Sequence, residues 1–323
     1  MEKNSRREFL KASAAGALAA GLAGRAVDLL AATPARPPEK NGAPFAPPAR
    51  RYKPFALGWI VGIGNDPDAA IRRVKDLEFP TCQLQIGHLD DGLVDRLGEA
   101  LEKYSVVATT LGTSGPGPDI YNFYDGPVTL GLVPRTFRAQ RIEKINQFSD
   151  YAKRLGIEAM RIHVGFIPEN PNEELYHEAI EAIKVVVGHC RQNGQNFLYE
   201  TGTETPVTLL RAMQDVGLDN QGFNLDTANF ILYDKANPLD SLDVIGTQVL
   251  NMHAKDGFYP TDTRHLGQEV EIPHGKVDFP KIFARLRELN YQGPVTIERE
   301  ISGPKQLEQI KSERDYLRKL LES

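Results

Sequence analysis

The chain has 323 residues, 38 Lys and Arg against 43 Asp and Glu, a net charge of -5 and a pI near 5.9. That length supports one large domain or two ordinary ones, with a core that needs no staples. The acidic balance argues against a nucleic-acid groove and against attraction to an anionic membrane. The two cysteines, Cys82 and Cys190, lie in apolar or amphipathic stretches and read as buried thiols rather than a disulfide.

Ser5-Arg6-Arg7-Glu8-Phe9-Leu10-Lys11, followed by ASAAGALAAGLAG, is a twin-arginine export motif. The run is too short and too rich in Ala and Gly for a transmembrane helix, so no stable span is expected unless the signal stays uncleaved. Residues 1–35 are assigned to the signal peptide, with Thr33-Pro34-Ala35 as a tolerable cleavage site. Residues 36–53 form a Pro-rich polar linker, and 54–323 the remaining domain. Export implies a periplasmic or otherwise extracytoplasmic protein. The route carries folded proteins, so a metal site filled in the cytoplasm can keep Mn or Mg where Zn or Cu would otherwise compete.

From residue 54 strand-like and helix-like segments alternate. PFALGWIVG precedes a helix capped by Asp66 with Pro67 at its first position. TCQLQIG precedes DDGLVDRLGEALEKY, SVVATTLG precedes the amphipathic PRTFRAQRIEKINQFSDYAKRLG, and AMRIHVG precedes a helix ending at Asn193-Gly194. NFLYETG, GFNLDTAN, VLNMHAKDG and GPVTIERE supply four further strands. Their helices are TPVTLLRAMQDVG, PLDSLDVIG and DFPKIFARLRELN, and KQLEQIKSERDYLRKLLES closes the chain. Eight such units predict a single (β/α)8 TIM barrel. A doubly wound sheet is disfavoured because GWIVGIG lacks the Gly-rich phosphate fingerprint. Long loops are expected from Thr113 to Val133 and from Gly257 to Lys276, positions typical of lids or specificity elements.

Barrel chemistry lies at the C-terminal ends of the strands. Four consecutive strands end there in Glu200, Asp226, His253 and Glu298. Three carboxylates and one imidazole predict one divalent metal ion, Mn first, with Mg, Co or Zn as alternatives. Asn224, Asn251 and Thr296 stand two residues before three of these ligands and are expected to orient them from one layer below. Arg161, His163, Asn229, Lys255, Asp256, Tyr259 and His274, with Trp59 in the first strand, are candidate substrate contacts.

ETG at Glu200, LDTAN with Asp226 and Asn229, HAKD from His253 to Asp256, and GKVDFPKIFARLRELNYQGPVTIE ending at Glu298 fit one pattern. Over residues 55–322 the chain resembles the sugar phosphate isomerase/epimerase family, whose barrel is like that of xylose isomerase. The resemblance implies that Glu200, Asp226, His253 and Glu298 bind Mn, Mg or a similar ion, and that Glu200 and Glu298 exchange protons with a sugar. Known members include ketose 3-epimerases, hydroxypyruvate isomerase and inosose dehydratase. The function expected is a metal-dependent carbohydrate isomerase or epimerase that abstracts a proton beside a carbonyl through a metal-stabilised enediolate. Glu300 shares the face of Glu298 and is the fallback if the register slips.

Three departures weigh against plain free-ketose 3-epimerisation. Asn229 replaces a histidine, Tyr259 an arginine, and Pro273-His274-Gly275 the usual Gly-Glu-Gly. The alternative is a metal-dependent lyase that cleaves 3-keto-glycosides by β-elimination, and a weaker one is a non-catalytic sugar-binding protein. The expected partner is a small sugar or keto-glycoside and no nucleic acid. Exposed helices such as that over 134–156 are candidate surfaces for a homo-oligomer.

Overall fold

The computed structural model describes residues 44–322. The signal peptide and the first part of the linker lie outside the described residues. Eight parallel strands close into a barrel in the order β1-β10-β7-β6-β5-β4-β3-β2. They are β1 (Leu57–Val61), β2 (Thr81–Gln85), β3 (Val107–Gly112), β4 (Ala159–Ile162), β5 (Asn196–Glu200), β6 (Gln221–Asp226), β7 (Val249–Ala254) and β10 (Val295–Ile297). Between β7 and β10, β8 (Asp256–Phe258) and β9 (Gln268–Val270) form an antiparallel ribbon. The long segment expected as a loop after the seventh strand is thus partly a ribbon.

The helices alternate with these strands. They are α1 (Pro67–Asp76), α2 (Asp91–Tyr104), α3 (Gly126–Thr129), α4 (Arg138–Arg154) and α5 (Glu174–Gln192), then α6 (Pro206–Val216), α7 (Asn229–Leu232), α8 (Pro238–Ile245), α9 (Phe279–Glu288) and α10 (Gln306–Glu322). Local chemistry sets their ends. Asp66 accepts the Ala69 amide at 3.0 Å before α1, and Asp278 accepts the Lys281 amide at 3.2 Å before α9. Pro67, Pro206 and Pro238 stand where no helical amide is needed, and Gly217 closes α6 at φ 72°.

Strand alternation gives the barrel two different faces. Outward residues such as Cys82, Phe197, Tyr199, Phe223, Met252 and Ile297 are buried against the helices. Phe197 and Tyr199 pack edge to face at 5.0 Å. Both cysteines are free and buried, and burial pushes their thiols up to about 12. Inward residues are largely polar: Thr81, Gln83, Asn224, Asn251 and Thr296 are all buried. Gly58 also points inward, where a Cβ would stand 2.5 Å from the Thr81 hydroxyl.

This alternation corrects one expectation. Trp59 pairs in register with Cys82 and Ile297, so it shares their outward face and joins the hydrophobic core rather than the mouth. Its ring serves packing, not substrate.

One buried acid makes the fold pH-sensitive. Glu204 accepts the Thr203 hydroxyl at 2.8 Å and the Ile167 amide at 3.4 Å, tying the turns after β4 and β5 together. Burial pushes its carboxyl from an ordinary 4.5 up to about 8. The folded state therefore holds this proton more tightly than the unfolded chain does. Stability from Glu204 is full below the unfolded value and declines as pH rises toward the folded one. Glu204→Gln is expected to raise the melting temperature more at pH ~8 than at pH ~5, by a difference worth a few kcal/mol. Equal shifts at both pH values would contradict a protonated buried carboxyl.

Candidate metal centre

Glu200 ends β5, Asp226 ends β6, His253 lies in β7 and Glu298 follows β10 directly. Asp226 and His253 are register partners, and so are His253 and Thr296. Neighbouring strands thus deliver the four side chains to one point, with one donor atom from each within 4.8 Å of the others. His253 Nδ1 stands 3.0 Å from Glu200 Oε1, 3.2 Å from Glu298 Oε2 and 3.5 Å from Asp226 Oδ2.

Three of the four groups are held by their other atom. Asp226 Oδ1 accepts the amides of Ala228 and Asn229, both at 2.9 Å, where the chain turns into α7. Glu200 Oε2 is gripped by the Arg161 guanidinium, with His163 Nε2 at 3.3 Å. The His253 Nε2–H donates to Gln83 Oε1 at 2.8 Å, and the Gln83 amide donates to Thr296 Oγ1 at 3.1 Å. That chain leaves the Nδ1 lone pair of His253 facing the carboxylates. Glu200 Oε1, Asp226 Oδ2 and His253 Nδ1 are all buried without a hydrogen-bond partner.

Buried polar atoms left unpaired are costly, and three converging on one point fit a cation. The charges agree with this. Glu200, Asp226, Glu298 and Glu300 contribute four negative charges against the two positive ones of Arg161 and Lys255, a difference of two. A divalent ion would cancel it. The all-oxygen and imidazole donor set suits Mn, Mg, Co or Zn.

Lys255 bridges the ring and its rim. Its ammonium lies 3.1 Å from Glu298 Oε2, 2.7 Å from Glu300 Oε2 and 3.1 Å from Asn229 Oδ1. Burial works against its charge, but Glu298, Asp226 and Glu300 hold it well above the usual lysine value. Burial would raise the Glu298 carboxyl, yet Lys255 outweighs that and keeps it well below the ordinary range. Burial, reinforced by Arg161, pushes His163 down to about 3, so its imidazole is neutral.

Arg161, His163, Lys255 and Asn229 therefore stand at the ring, whereas other expected contacts do not. Asp256 spends its carboxylate on the amides of Gly257, Gly275 and Val277 at 2.8, 2.8 and 3.0 Å, organising the ribbon loop. Tyr259 packs on the core, with its hydroxyl 3.4 Å from the Ala236 carbonyl. His274 is exposed and its Nδ1 lies 3.2 Å from the Glu271 carbonyl.

Of the three residues expected to orient the ligands, Thr296 reaches His253 through Gln83. Asn224 and Asn251 make no hydrogen bond to any of the four, and the Asn224 amide is unpartnered at both atoms. Two residues down a strand is about 7 Å, a layer beyond reach. Help for His253 comes instead from across the barrel. Gln83 was missed, although Thr81, Gln83 and Gln85 alternate as polar residues along one strand face.

The sequence profile described as xylose isomerase-like TIM barrel matches residues 71–320. The chain belongs to that family. A profile for the twin-arginine translocation pathway signal sequence matches residues 3–23, which marks the chain for export. No helix among the described residues is long and apolar enough to cross a membrane.

Among solved structures, a xylose isomerase domain protein from Planctomyces limnophilus has a TM-score of 0.78 at 29% identity, covering 83% of this chain and 97% of that one. A D-allulose 3-epimerase from Methylomonas sp. has a TM-score of 0.61 at 17% identity over 83% and 99% of the two chains. A 3-keto-D-glucoside 4-epimerase from E. coli has 0.63 at 14% over 82% and 99%. At those last two identities the likeness is one of fold. An uncharacterized protein of Methanocaldococcus jannaschii is 27% identical over 177 residues, 50% of this chain, and the match spans only 57% of that relative.

Proposed function

We propose that this chain is a divalent-metal-dependent carbohydrate isomerase or epimerase that acts in the periplasm. The observation that carries this reading is the convergence of unpartnered Glu200 Oε1, Asp226 Oδ2 and His253 Nδ1 beside the Glu298 carboxylate. An ion held by these four residues would polarise a carbonyl and acidify the neighbouring C–H bond. Glu200 and Glu298 are then the two carboxylates that take and return the proton. Arg161 and His163 hold Glu200 in place, and Lys255 keeps Glu298 ionised and ready to accept. Protonation on the opposite face inverts the carbon, whereas return to the adjacent carbon isomerises the sugar. The barrel over residues 54–323 carries all of these groups, and the ion is Mn in the first instance.

The test is solvent exchange. The Mn-loaded protein in D2O is expected to wash deuterium into a ketose at the carbon next to its carbonyl, and EDTA is expected to stop it. Ketoses and 3-keto-glucosides that all retain their protium in the presence of Mn would overturn the reading. A second reading is lyase action on a 3-keto-glycoside. It draws on the exposed Tyr121, whose ring meets His163 at the mouth and offers a surface for an aglycone, and on the fold shared with a 3-keto-D-glucoside 4-epimerase. Release of the aglycone from a 3-keto-glucoside, with the sugar left unsaturated, would select it.

Gln83 gives a separate check on the ligand set. Gln83→Met removes the acceptor that fixes the His253 tautomer and is expected to weaken Mn binding about 10- to 100-fold, as read by titration calorimetry. Unchanged affinity would show that His253 needs no such support.

A further inference from the structure

Glu298 stands at the end of the shortest barrel strand. β10 has 3 residues, and the Glu298 amide donates to the Ala254 carbonyl of β7 at 3.1 Å. Residues 298–305 then form neither strand nor helix. A carboxylate at such a position needs its backbone fastened by something other than the sheet.

The next residue supplies the fastening. Arg299 is buried between the ribbon and α10. Its Nη1 donates to Glu269 Oε1 on β9 at 2.6 Å, and its Nε and Nη2 donate to Gln309 Oε1 on α10 at 3.3 and 3.1 Å. The Arg299 carbonyl accepts the Gln306 amide at 3.0 Å. The side chains of Arg299 and Glu269 are 3% and 8% exposed, so water does little to loosen the pair.

These contacts close a circuit through the ribbon. Glu269 pairs in register with Gly257 of β8, which follows Lys255 and Asp256 directly. The Lys255 ammonium lies 3.1 Å from Glu298 Oε2, so the circuit returns to the carboxylate from which it began. Lys255 reaches Glu298 from the start of β8, and Glu269 reaches it from β9 through Arg299. In a buried ion pair desolvation offsets much of the attraction, and what remains is a preferred geometry.

We propose that Arg299 is a positioning residue for Glu298, and that its ion pair with Glu269 makes the ribbon the support of the metal centre. The inference rests on the reading that Glu298 both binds the ion and exchanges the proton. It is tested in the full chain with Arg299→Lys, Arg299→Met and Glu269→Gln. Mn affinity is read by titration calorimetry and deuterium exchange into D-allulose at saturating Mn. Lysine and methionine both give up the guanidinium bonds to Gln309, but lysine alone keeps a charge for Glu269.

Glu269→Gln and Arg299→Met are each expected to weaken Mn binding about tenfold. They should lower kcat by a similar factor with KM within about twofold, because the displaced group moves protons rather than gripping the sugar. Arg299→Lys should stay within about threefold of the parent in Mn affinity and kcat. If Arg299→Met does not fold, Glu269→Gln carries the test, since it leaves Arg299 bonded to Gln309. Lysine as impaired as methionine would overturn the proposal, and so would Glu269→Gln with parental Mn affinity and kcat. A parent that binds Mn but exchanges no deuterium sinks the isomerase reading. A drop in Mn affinity that Arg299→Lys avoids would still establish the support.

Discussion

Glu298→Gln is expected to lower solvent deuterium exchange by about 10²- to 10⁴-fold, the usual contribution of a positioned acid–base group. Glutamine keeps the shape and one acceptor oxygen but removes the ionised carboxylate that Lys255 maintains in the folded protein. It also removes one negative charge from the ring, so metal content must be measured alongside. Glu298 is partly exposed, at 11% of its side chain, whereas Glu200 is fully buried and pinned by Arg161. The two glutamine variants should therefore differ. Glu200→Gln leaves Arg161 short of its counter-ion and should cost stability as well as exchange. Glu298→Gln should cost less, because Lys255 keeps Glu300 and Asp226 as partners. A Glu298→Gln protein with full metal occupancy and parental exchange would remove Glu298 from the proton-transfer step and leave it as a ligand alone.

The ring was legible in the sequence because a strand end is a simple address. Each of Glu200, Asp226, His253 and Glu298 closes an apolar run, and a parallel barrel brings such ends together. Lys255 and Arg161 were legible for the same reason, since alternation from a known ligand gives their face. Partners across the barrel were not. Gln83 lies 170 positions from His253, and nothing local marks it as the group that holds the imidazole.

Alternation also gives a face without giving a depth. Asn224 and Asn251 share the inward face of the ligands but stand too deep to touch them. Trp59 shows the opposite failure, a strand residue whose outward face follows only from its register with Cys82 and Ile297. The length of the segment from Thr113 to Val133 suggested a functional loop, but not its rigidity. That comes from Arg141, which holds the carbonyls of Pro116, Pro118, Thr129 and Gly131 and in sequence is one cation among many on an amphipathic helix.

Lys255→Met is expected to make the stability of the protein depend on metal. Lys255 lies 3.1, 2.7 and 3.7 Å from Glu298, Glu300 and Asp226. Methionine fills much the same volume without the charge and leaves Arg161 as the strong cation still facing these carboxylates. Breaking a buried pair in this way costs about 3–5 kcal/mol, which for a domain of this size is a fall of order 10 °C in melting temperature in EDTA. Saturating Mn binds the same carboxylates and should return most of that loss. Its stabilising effect should therefore be larger in the variant than in the parent. A variant destabilised equally with and without Mn would mean that Lys255 supports packing and shares no charge with the ion. The comparison needs no substrate, so it tests the four-residue site even if the sugar is misassigned.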